Sequence, residues 1–184
     1  MRKNWRLYLV NTLNKIIKIK NLILIYFLLF FIGFFLSLMF LPESYDLSEN
    51  ITDISSFMDV FLYNLKVALV IIITGIFSVG LISSFIVFFN GLYFGYFFFS
   101  NMPFLEPLHF IALFIFHGPF EIVGLSIGYA LSILIPWSII KTIWKHDFQI
   151  KTGTARKFLI YYTFHILLLF ISGIIEYFVI THYK

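Results

Sequence analysis

The chain is a succession of long apolar runs separated by short polar stretches. Residues 22–41 form the first run, 60 to about 81 the second, and 83–100 a shorter third one interrupted by Asn90-Gly91 and Gly95. Residues 108–140 form the fourth and 158–180 the fifth. A hydrocarbon core about 30 Å thick is crossed by a helix of about 20 apolar residues, a length these runs approach or exceed. They are continuously apolar rather than alternating, which is the wrong pattern for a β-barrel. The pattern predicts an all-α fold: a polytopic transmembrane helix bundle of about five spans.

The fourth run is too long for its task. As one helix, its residues would extend roughly 50 Å at 1.5 Å per residue, so the segment must be tilted or broken. Gly118-Pro119 is the natural break. Proline ends the helix before it and suits the first position of the next. On this reading Gly118 is an N-cap, Glu121 is the third residue of a new helix, and His117 stands just outside it.

Charge then orients the spans. Arg2, Lys3, Arg6, Lys15, Lys18 and Lys20 precede the first run, interleaved with Trp5, Tyr8, Leu9, Leu13 and Ile16 at helical spacing. Residues 1–20 read either as a cationic amphipathic helix on the cytoplasmic leaflet or as a charged flank. Residues 21–180 are the membrane domain, and 181–184 a short tail. The first run is no cleavable signal, because Phe40-Leu41-Pro42 lacks small residues. The stretch 42–59 holds Glu43, Asp46, Glu49, Asp53 and Asp59 and no base. The stretch 141–157 holds Lys141, Lys145, Lys151, Arg156 and Lys157 against one acid, Asp147. The positive-inside rule puts the N-terminus and 141–157 in the cytoplasm and 42–59 outside. Lys66 can snorkel to the outer interface, and Trp137 and Trp144 suit an interfacial belt.

Composition narrows the classes further. The chain is 61% hydrophobic and 12% charged, and leaves no room for a separate soluble domain. With no cysteine, disulfides and thiolate metal sites are excluded. The net charge of +4 is accounted for by membrane-flanking bases, so it does not point to nucleic acid. The lipid bilayer is the partner the sequence requires. The excess of Phe, Ile, Lys and Asn suggests an AT-rich, bacterial coding sequence, hence a bacterial inner membrane.

A few polar residues lie inside the apolar runs: Asn64, Asn90, His117, Glu121, His165 and Glu176. Ionisable groups at membrane depth are costly and call for buried partners or a function. His117 and Glu121, four apart, share a face of a continuous helix. His165 and Glu176, eleven apart, share a face of the last one, about 16 Å from each other. Three readings stand open. The set is a structural hydrogen-bond network, with Glu121 bonding back to its helix cap. Or His117, Glu121 and Glu176 hold a metal or a proton, although H-x-x-x-E lacks the second histidine of a zinc protease motif. Or the broken helix lines a solute path, for which no inverted repeat is evident. No catalytic residue and no cofactor is indicated. Gly91 and Gly95 have the small-xxx-small spacing of close helix packing.

Asn64-Leu65-Lys66-Val67-Ala68, then Asn90-Gly91 with Gly95, then His117-Gly118-Pro119-Phe120-Glu121, then Glu176 follow one another in an order that resembles the stage II sporulation protein M family of bacterial membrane proteins. The likeness runs from about Leu22 to Tyr177. It implies a multi-span protein of the bacterial cell membrane, a non-enzymatic scaffold working with peptidoglycan hydrolases. Other relatives imply a membrane factor for maturation, export or immunity of a bacteriocin peptide. An intramembrane metalloenzyme or small transporter remains as an alternative from the residues themselves. Other membrane proteins and further copies of the chain are the remaining partners to consider.

Overall fold

A computed structural model describes residues 17–40, 56–101, 111–145 and 152–182. The cationic segment up to residue 16, most of the acidic stretch, the connector around Glu106 and the last two residues lie outside the described residues. So does the middle of the basic stretch, with Asp147 and Lys151. Five helices are described: α1 (Ile19–Leu36), α2 (Phe57–Ser78), α3 (Leu81–Asn101), α4 (Gly118–Lys145) and α5 (Thr152–His182). A 3-10 turn, Ser37–Phe40, extends α1, and a π-helical stretch, Ala112–His117, leads into α4. There is no strand among the described residues. All five helices are long and apolar enough to cross a membrane.

The starts and turns follow local chemistry. Ser56 caps α2 through a capping box: its side chain accepts from the Asp59 N–H, and the Ser56 N–H donates to Asp59 Oδ2 at 2.9 Å. The second span therefore begins before its apolar run does, and Asp59 belongs to the helix rather than to the loop. Val79 and Gly80 alone join α2 to α3. Both are left-handed, with φ of 53° and 89°, and the Gly80 N–H donates to the Gly75 carbonyl at 2.8 Å. Any side chain at Gly80 would strike Ile133 of α4.

Glycines let α1 and α3 touch at backbone distance. Gly33 faces the Phe88 carbonyl, Gly91 the Phe30 carbonyl, and Gly95 the Phe34 carbonyl and the Ser37 hydroxyl. Rings close over the seam, with Phe30–Phe94 centroids at 5.6 Å and Phe34–Phe98 at 5.4 Å. The spacing of Gly91 and Gly95 thus serves packing, as small-residue spacing does in membranes.

Helix α4 is the centre of the bundle. Two-thirds of its span is buried, against about a quarter for each of the others; a helix apolar on all sides belongs inside. Leu125 and Tyr129 pack with Tyr26 of α1, Ala68 and Ile71 of α2 and Leu169 of α5. Toward the α2–α3 turn, Ser84 and Tyr129 share a hydrogen bond of 2.9 Å, and Ser83 meets Ser132 at 3.3 Å.

The interruption expected at Gly118-Pro119 falls in the right place but takes another form. Gly118 has ordinary helical torsions, φ −52° and ψ −44°, and so is no N-cap. The helix passes through, changing from π to α at that residue. Proline lacks an N–H, and its ring crowds the carbonyl four residues earlier. The wider π turns move the preceding carbonyls aside, and Pro119 enters without ending the helix. A second proline, Pro136, also lies within α4.

Candidate functional site

Because the helix continues across Gly118, His117 lies on it rather than outside it, and its side chain is buried. Glu121 is one turn further on, and its Oε2 lies 3.3 Å from His117 Nε2. The other side of the ring faces α5. There His117 Nδ1 meets Ser172 Oγ at 2.8 Å and Glu176 Oε2 at 3.4 Å. The Ser172 hydroxyl also points to the His117 carbonyl, at 3.5 Å. One imidazole therefore ties three polar side chains and joins α4 to α5. The Ser172 contact is a short hydrogen bond, whereas the two carboxylate contacts are at the long edge of that range.

The geometry counts protons. If Ser172 donates to the His117 carbonyl, its oxygen accepts from Nδ1–H. That leaves Nε2 facing Glu121 Oε2. A neutral imidazole has one N–H only, and a lone pair facing a carboxylate oxygen would repel it. The contact is attractive once a second proton lies on it, carried by the ring or by the Glu121 carboxyl. Glu176 lies within Coulombic range of Glu121, so the same proton lowers the repulsion between the two acids. Tyr26 of α1 is also within Coulombic range of Glu121, and its buried hydroxyl has no hydrogen-bond partner among the described residues.

His117, Glu121 and Glu176 do not converge on one point. Glu121 and Glu176 address opposite nitrogens of the ring, so the three groups diverge instead of pointing at one ion about 2 Å away. Among the described residues, no three His, Cys, Asp or Glu side chains are placed to hold a metal.

The other polar residues read from the sequence go elsewhere. His165 is fully buried and donates from Nδ1 to the Gly124 carbonyl at 2.7 Å, with its ring against Gly128. Its Nε2 has no partner among the described residues. Asn64 is buried on the α2 stripe that carries Val60 and Ala68, and its amide nitrogen has no partner among the described residues. Asn90 does not join the His117 set. It lies in a groove between α2 and α3 with Tyr63, Val67, Ile86, Phe89 and Tyr93. The reason is the seam: Gly91 and Gly95 face α1, which turns Asn90 to another side of α3. Ser172 was not singled out by sequence reasoning. The signal was its position, seven residues after His165 and four before Glu176, which places all three on one stripe of α5.

A family model, Stage II sporulation protein M, matches residues 22–180 of the chain. The chain belongs to the stage II sporulation protein M family. The matched region runs from α1 to near the end of α5, so it takes in the α1–α3 seam, the buried α4 and the polar tie between α4 and α5. No curated protein and no solved structure matches the chain. Family and helices together make it a multi-pass membrane protein.

Proposed function

We propose that this stage II sporulation protein M relative is a non-enzymatic scaffold of the bacterial cell membrane that holds peptidoglycan-remodelling proteins at the bilayer. The observation that carries this reading is the polar tie. His117, Glu121, Ser172 and Glu176 direct their side chains at one another, a use that suits the fixing of helix packing. In four of the five helices only about a quarter of the span is buried among the described residues, which suits a protein that works by contact.

The orientation proposed has the N-terminus in the cytoplasm. Lys18 and Lys20 at the start of α1, Lys141 in the last turns of α4, and Arg156 and Lys157 in the first turns of α5 belong to one end of the bundle. The positive-inside rule assigns that end to the cytoplasm. The test replaces Glu121 by glutamine, which keeps the shape and an oxygen acceptor for His117. A scaffold carrying this change folds, and it co-purifies with its hydrolase partners from solubilised membranes as the wild type does. A variant that folds normally yet loses all function would overturn the scaffold reading in favour of proton or metal chemistry.

A further inference from the structure

The groove between α2 and α3 carries hydrogen-bonding groups where lipid offers none. Tyr63 and Tyr93 are each 64% exposed, Phe89 is 60% exposed, and Asn90 is half-buried between them. The side chains of Asn90, Tyr63 and Tyr93 make no hydrogen bond among the described residues. Asn90 stands at the middle of the span Leu81–Ser100, away from either interface. An amide there cannot be satisfied by water, and an unsatisfied polar group in hydrocarbon is costly. Asparagine side chains in membranes are satisfied by bonding across helices. The seam with α1 fixes the direction, because turning α3 to hide Asn90 would drive Gly91 and Gly95 off the α1 backbone.

We propose that the groove is the interface of a homodimer in which Asn90 of one copy bonds to Asn90 of the other. Two features favour a second copy over an unrelated helix. An amide is both donor and acceptor, so it pairs reciprocally with its own kind, as a two-fold interface requires. Depth also favours it. Copies inserted in the same direction are related by an axis along the membrane normal, so each residue meets its counterpart at its own depth. A mid-membrane asparagine therefore finds a polar group at the matching level in a second copy. The flanking Tyr63, Phe89 and Tyr93 supply the apolar and aromatic contact around that pair.

The chain has no cysteine, so introduced thiols report their own contacts alone. Asn90→Cys, Tyr93→Cys and Phe85→Cys are oxidised in native membranes. Phe85 is 59% exposed and lies about 140° round the helix from Asn90. Disulfide-linked dimers are expected from positions 90 and 93 and not from 85. Tyr93→Cys reads the same face should Asn90→Cys fail to accumulate. In a second measurement, energy transfer between labelled copies is followed in vesicles. Asn90→Leu should weaken association about 10- to 30-fold, the loss of two reciprocal interhelical bonds, while Asn90→Gln retains it. Equal cross-linking at all three positions, cross-linking at none, adducts with a different protein, or undiminished energy transfer in Asn90→Leu would overturn the proposal.

Discussion

Replacing His117 by leucine removes the centre of the polar tie while nearly keeping its volume, so the effect can be worked from contacts alone. His117 touches Glu121 on its own helix and Ser172 and Glu176 on α5. In a membrane the unfolded reference is a set of separated helices. The Glu121 contact, being one turn away, survives that separation, and only the two contacts to α5 count toward stability. Interhelical bonds of this kind average about 0.6 kcal/mol and reach about 1.7, so His117→Leu should cost about 1 to 3 kcal/mol. Ser172→Ala removes the 2.8 Å bond to Nδ1 together with the long 3.5 Å contact to the His117 carbonyl and should cost about 1 kcal/mol on the same scale. Because the two variants delete a shared bond, the double variant should cost less than their sum. Denaturation in mixed detergent micelles, followed by circular dichroism, measures all three. A His117→Leu protein as stable as wild type, or costs that add in full, would refute the idea that this imidazole joins the helices.

Other outcomes follow from the turns, the seam and the charges. Val79→Gly should raise stability by up to about 1 kcal/mol in the same unfolding assay, because the left-handed conformation strains a β-branched residue. Gly80→Ala should lower it, through both its φ and the collision with Ile133. Gly91→Leu should cost more than about 3 kcal/mol or prevent folding, since the α1 backbone at Phe30 fills the space. In sealed cells, an impermeant thiol reagent should label Ser56→Cys and spare Arg156→Cys. The reverse would invert the proposed orientation.

The number of spans and their rough limits were legible because continuous apolar length is a direct physical requirement of the bilayer. The ends were less so. The second helix starts at Phe57, ahead of its apolar run, because a capping box rather than hydrophobicity sets its first turn. The approach of His117, Glu121 and Glu176 was partly visible, since cost drives ionisable groups in a membrane to pair. Their joint dependence on Ser172 was not, because a serine is small and common enough to pass as packing. Asn90 was grouped with that set by residue type alone. Only the three-dimensional seam between α1 and α3 shows that it faces away. Pro119 invited a stop signal because the one-dimensional rule concerns α-helical turns, and a π stretch evades that rule.

The pairing of His117 with Glu121 along a single helix has a consequence for biogenesis. Synthesis proceeds from the N-terminus, so α4 reaches the bilayer before α5, with Ser172 and Glu176, has followed it. During that interval Glu121 would be a lone carboxylate at membrane depth, with an insertion cost of about 3 kcal/mol. A histidine one turn upstream, 3.3 Å from it, travels with the carboxylate through the translocation machinery and, by taking part in a proton shared between them, would moderate that cost. The arrival of α5 then recruits an imidazole already in place, so the order of translation and the order of assembly agree.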